Sequence, residues 1–313
     1  MSQIFEQFIK FTTDSVGLER TFRLFQSIAQ ILSSFSIPFD LLLYTLSSST
    51  GQTPSSSAVR AVLKTLNQRF GLARRFFRLF RFLESFNAAQ KLSSRLTSPE
   101  TWKGPKRGLL AKAAPWLDVF AKTFNGLYLL LETSTLVNAL QIPNLALFTL
   151  EEERDIGLEA QRFWLFSLVC GALYHAFEIP LAIAYFPPPK LPQLPSGTAQ
   201  DIDERLAAEK MSDDEHAAYL RRAAAERDAL TKAWAREVSA TVYKLGRAAA
   251  ANALDILLPG VAVGWIKAEP GTVGIAMLVT TVLTSMDVWE RCGREVAGVK
   301  AANAGSWAIP RRA

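Results

Sequence analysis

SAVRAVLKTLNQRFGLARRFFRLFRFLESFNAAQKL, residues 57–92, is the stretch that decides how the rest of the chain meets its surroundings. Wound at helical pitch, Arg60, Lys64, Asn67, Gly71, Arg74, Arg75, Arg78 and Ser85 gather on one side, with Leu66, Phe70, Leu72, Phe76, Phe77, Leu79, Phe80 and Leu83 opposite. Arg69 projects into the apolar side, and Phe82 falls among the arginines. A single helix of this length spans about 52 Å, enough for a bilayer, but it carries too many charges to cross one. It is expected to lie along a surface. Each large side chain entering the acyl boundary contributes about 1.5–3 kcal/mol, and each basic residue near an anionic leaflet roughly 1 kcal/mol. Apolar insertion therefore binds, charge chooses the surface, and the implied partner is an anionic phospholipid membrane. The plainer alternative is one helix of a soluble bundle with a solvated basic face.

The composition agrees with a membrane protein. The chain has 313 residues, 49% of them hydrophobic, with a positive mean hydropathy of +0.12, too apolar for an ordinary soluble protein of this size. The net charge is +6, and residues 1–162 hold 19 basic and 13 acidic residues, whereas residues 187–253 hold ten of each. Nucleic-acid binding ranks low, because it calls for basic patches without long apolar segments. The two cysteines, Cys170 and Cys292, form no disulfide framework or metal pattern. No phosphate-binding loop, nucleophile elbow, HExxH or dinucleotide glycine fingerprint occurs, so neither an enzyme nor a cofactor is expected. The N-terminus lacks a basic region followed by an apolar core, and no Asn-x-Ser/Thr acceptor is present, which argues against secretion.

Residues 1–92 read as an N-terminal amphipathic helical region. Thr12, Thr13, Asp14 and Ser15 can cap a second helix after a first, with Gly17 at the join. Pro38 and Asp40 interrupt the apolar run 28–46, so it is not read as a span. SSSTGQTPSSS, residues 47–57, reads as a flexible linker that lets the following helix dock independently of the first two. Residues 93–162 hold a second linker up to Pro115, where Trp102 beside lysines reads equally as an interface anchor or as part of a plain solvated loop, and a buried or half-immersed helix broken by Lys122 and Glu132.

The first convincing transmembrane helix covers residues 163–186, with His175 and Glu178 three apart on one face as a satisfied polar pair. Residues 187–253 form a polar loop with a Pro-rich spacer, a capping box at Ser212–Glu215 and a solvated helix. Residues 254–289 are a C-terminal membrane region in which 254–266 is too short to cross and 272–289 is the second span. Residues 290–313 are a charged tail. The fold class is all-α, an integral membrane protein with about two C-terminal spans, and positive-inside counting puts both termini on the cytosolic side.

FIKFTTDSVGLERTFRLFQSIAQIL, followed by FGLARRFFRLFRFLESF and later by LLPGVAVGWIKAEPGTVGIAMLVTTVLTSMDVWERCG, resembles the peroxin eleven family of peroxisomal membrane-elongation proteins in its fungal form. The resemblance implies a multi-pass peroxisomal membrane protein whose basic amphipathic helix enters the cytosolic leaflet and tubulates it before division, controlling peroxisome number. Carried onto this chain, the role falls on residues 57–92. Arg60, Lys64, Arg74, Arg75, Arg78 and Arg81 become headgroup contacts, and Phe70, Phe76, Phe77, Phe80 and Leu83 the inserted side chains. The implied partners are further copies of the chain and fission machinery, a dynamin-like GTPase and its adaptor. A pore or solute carrier, and a scaffold recruiting fission factors, stand as alternatives.

Overall fold

Ser2 and Asp14 set the first two helices. The Ser2 hydroxyl accepts from the Phe5 N–H at 3.3 Å to open α1 (Gln3–Thr13). The Asp14 carboxylate accepts from the Val16 and Gly17 N–H groups, both at 3.0 Å, to open α2 (Ser15–Ser34). The turn between them admits no side chain at Gly17, where a Cβ would lie 2.0 Å from the Phe11 carbonyl oxygen. At Phe35 the chain bends by 98° into α3 (Ser36–Thr50), whose first turn accommodates Pro38 because the N–H groups there need no helical partner.

The computed structural model of the protein describes residues 2–51, 54–98, 108–142, 144–189 and 213–306. After α3 come α4 (Ser56–Phe77), α5 (Arg81–Thr97), α6 (Leu109–Ser134), the short α7 (Leu136–Ala139), α8 (Leu150–Tyr185), α9 (Asp213–Asp255), α10 (Leu257–Val263) and α11 (Pro270–Ser306). No strand occurs among the described residues, so the all-α expectation holds. Two helices, α8 and α11 as far as Lys300, are long and apolar enough to cross a membrane. By its contacts the chain divides into two units, residues 1–175 with 247–313, and residues 176–246.

In the first unit, α1 and α2 run antiparallel to α11 from Lys300 back to Pro270. Glu6 pairs with Lys300 at 2.9 Å, Lys10 with Glu295 at 3.2 Å and Asp14 with Arg291 at 2.8 Å, and Phe11 meets Trp289 edge-on at 5.8 Å. Further along, Arg23 donates to the Thr280 hydroxyl at 3.1 Å, and Gln30 Nε2 to the Pro270 carbonyl at 2.7 Å. α4 then runs antiparallel to α2: Phe22 stacks on Phe77 at 5.6 Å, Phe25 meets Phe70 at 5.7 Å, and Leu63 closes a small core with Ala29 and Phe39. The expected independent docking of this helix is therefore corrected. Aromatic side chains on both helices bury against each other, and α3 and α4 take up both ends of the presumed linker.

α5 packs on α6 and α6 on α8. Gly126 lets the Phe86 ring approach to within 2.6 Å of where a Cβ would stand, Tyr128 stacks on Trp164 at 5.3 Å, and Ser167 donates to the Ala121 carbonyl at 2.8 Å. α6 begins at Leu109 and carries Pro115 inside it, so the linker expected to reach Pro115 is shorter. α8 starts well before residue 163, because Thr149 and Glu152 form a reciprocal capping box that the sequence reading passed over. α11 likewise extends the expected second span at both ends.

The second unit holds the C-terminal end of α8 and most of α9. There Trp234 Nε1 donates to the Pro187 carbonyl at 2.8 Å, and Phe186 meets the Trp234 ring at 6.3 Å. Asp228 hydrogen-bonds Lys232 at 2.7 Å one turn away, which raises the ammonium above its ordinary pKa, as expected of an exposed helix with alternating charge. Trp102, the later prolines of the spacer and Ser212 of the expected capping box lie outside the described residues.

Candidate functional site

The stretch 57–92 is two helices, not one. Arg78, Leu79 and Phe80 form a tight turn in which the Arg78 N–H bonds the Arg75 carbonyl at 3.1 Å and the Arg81 N–H the Arg78 carbonyl at 3.0 Å. No proline or glycine stands there. The break is held from outside: Thr133 Oγ1 on α6 donates to the Leu79 carbonyl at 3.1 Å, and Arg78 is drawn onto the same helix.

The basic side of this stretch turns inward. Arg74 is 8% exposed; its Nε donates to Glu19 Oε1 at 3.0 Å and its second guanidinium arm to Gln26 Oε1 at 2.7 Å. Arg75 donates to the Thr135 hydroxyl at 2.8 Å and lies 3.7 Å from Glu132. Arg78 bonds Glu132 at 2.7 Å and the Tyr128 hydroxyl at 3.2 Å. The three central arginines expected on an open face thus sit in ion pairs with two carboxylates on other helices, because a guanidinium held inside the protein needs a hydrogen-bonded counter-charge. Arg81 is half-buried. Arg60 stays exposed, with its guanidinium 4.3 Å over the Phe39 ring, and Lys64 is exposed beside it.

The apolar side divides. Phe70 and Phe77 pack inward on α2, whereas Phe76, Phe80 and Leu83 are 47%, 69% and 57% exposed. Val62, Leu66, Arg69, Ala73 and Phe76 step by threes and fours along one side of α4 to form an outward ridge, and Phe80 and Leu83 are exposed beyond the turn that ends the helix. The helix pair thus carries paired charges within and, outside, large apolar side chains interspersed with the exposed charges Arg60, Lys64, Arg69, Glu84 and Lys91.

Sequence reading missed the partners. Glu19, flanked by Arg20 and Arg23, extends the cluster into α2, where Arg23 pairs with Asp255 and Asp255 accepts from Thr280 at 2.6 Å. The available signal was local: Glu19 and Glu132 are lone acids in apolar helical runs, and such a group needs a partner.

An all-helical protein with two helices fit to cross a membrane, a polar interior and an apolar outer ridge belongs among integral membrane proteins. Across residues 5–289 the chain matches the family described as Peroxisomal biogenesis factor 11 (PEX11), and it belongs to that family. No curated protein and no solved structure matches it. The protein is accordingly a peroxisome biogenesis factor of the peroxisomal membrane.

Proposed function

We propose that the protein elongates peroxisomal membranes before division by seating Phe76, Phe80 and Leu83, the exposed apolar side chains farthest from the Pro270 end of α11, in the cytosolic leaflet. The observation that carries this is the outward exposure of Phe76, Phe80 and Leu83 over a buried arginine cluster. α4 packs antiparallel along α2, and α2 along α11, so these side chains work in place, as one side of a helical layer, while Arg60 and Lys64 lie toward the Pro270 end. Swinging α4 away would strand Glu19 and Arg74 without each other, at a cost of roughly 3–5 kcal/mol for a buried pair. Self-association and recruitment of fission factors are compatible with this role.

Liposome flotation and electron microscopy of the full-length protein test it. Phe76→Glu with Phe80→Glu puts two charges on exposed positions, so the protein should fold but no longer bind or elongate vesicles. Arg74→Ala with Arg78→Ala should instead lower the unfolding temperature, since both side chains are interior. Wild-type vesicle elongation by the Phe76/Phe80 variant would overturn the proposal.

A further inference from the structure

Arg69 is unexplained by membrane insertion alone, since a charge in the middle of an apolar ridge weakens it. It does have a second neighbourhood. A cavity of about 590 Å³ opens behind the ridge, and Arg69, Arg74, Arg75 and Arg78 line it together with Gln26, Tyr128 and Glu132. Arg69 is exposed while Arg74 is buried, so the row leads from the surface inward.

The charges in this interior do not balance. Four guanidiniums, Arg69, Arg74, Arg75 and Arg78, line the cavity against one lining carboxylate, Glu132, with Glu19 pairing Arg74 from behind the wall. Arg78 leaves its Nε without a hydrogen-bond partner. A buried guanidinium nitrogen that lacks an acceptor is costly, and an anion with several oxygens is the group that satisfies it. Planar forks of N–H donors match phosphate in particular, and a phosphate dianion offsets most of the surplus charge. The cavity exceeds what inorganic phosphate needs, and Leu72, Trp164 and Met277 supply apolar wall for an attached organic group.

We infer that this cavity is a binding site for an organic phosphate monoester, with Arg69 as its entry contact and Arg75 and Arg78 as its inner donors. The ligand's phosphate comes either from a soluble metabolite or from a lipid headgroup whose chains lie along the ridge. The site stands apart from membrane elongation, and either reading can fail without the other.

The test uses full-length protein in phosphatidylcholine nanodiscs, reading unfolding temperature and calorimetric affinity. The probes are glycerol 3-phosphate as a soluble monoester, phosphatidic acid mixed into the disc as a lipid one, and acetate as a control anion. Arg69→Gln removes the entry contact at an exposed position and should leave the fold intact. Arg222→Ala removes an exposed charge on α9 as a control for general electrostatics. Expected is stabilisation by one of the two monoesters and not by acetate, with affinity about tenfold weaker in Arg69→Gln and unchanged in Arg222→Ala. Stabilisation by glycerol 3-phosphate identifies a soluble ligand, and stabilisation by phosphatidic acid alone identifies a headgroup. No stabilisation by either monoester, or equal affinity in wild type and Arg69→Gln, overturns the site.

Discussion

Glu132 holds two arginines at once, Arg78 at 2.7 Å and Arg75 at 3.7 Å, and also accepts from the Tyr128 hydroxyl at 3.1 Å. Glu132→Gln keeps the shape but removes the only carboxylate that pairs with these two side chains among the described residues. Breaking one side of a buried pair leaves uncompensated charge, so this variant should lose roughly 3–5 kcal/mol of stability. The loss would appear as a lower unfolding temperature in detergent. Replacing Glu132 by Leu together with Arg78 by Met should recover part of it, because apolar side chains of similar size leave less charge stranded. An unfolding temperature unchanged in Glu132→Gln would show that the cluster is solvated rather than interior.

At the scale of the element, the question is whether α4 stays on α2 while the protein works. Gln26 and Gly71 face each other there, with a Cβ on residue 71 falling 3.1 Å from Gln26 Nε2. A Gln26→Cys, Gly71→Cys protein, made after replacing Cys170 and Cys292, can be locked by oxidation or by a short bis-maleimide. The locked protein should bind and elongate vesicles as the reduced one does, because the ridge already faces outward from the packed layer. Activity that disappears on locking and returns on reduction would mean that α4 must leave α2 to act. The break at Arg78–Phe80 belongs to the same scale. It lets α5 turn onto α6 while α4 stays on α2, and the two halves of the sequence stripe thereby pack on different neighbours.

Across the whole chain, the antiparallel pairing of α1 with α11 ties the two ends of the described chain together. Ion pairs from Glu6, Lys10 and Asp14 reach Lys300, Glu295 and Arg291, beyond the apolar part of α11. If α11 crosses the membrane, residues 2–14 and the residues after 289 emerge on one side, and the basic residues of the tail favour the cytosol. Tags at both termini should therefore be removed by protease from sealed peroxisomes. One protected terminus would overturn this orientation. The exposed ion pairs themselves contribute little, about 0–1 kcal/mol each, so register must rest on the half-buried contacts of Phe11 with Trp289 and of Gln7 with the Trp289 carbonyl.

The sequence by itself determined the class of fold. Period-3.6 patterning, the Asp14 cap, Gly17 at the turn and two long apolar runs specify helices and spans locally, and each was legible without a partner in view. Only the tertiary structure decided which way the stripe of residues 57–92 faces. A binary pattern separates polar from apolar residues but does not say which side is inside, and in lipid the answer reverses. What turned the arginines inward was two carboxylates, Glu19 and Glu132, lying 55 residues from Arg74 and 54 from Arg78. Pairings of that separation depend on how α2 and α6 pack, and no local rule of spacing contains them.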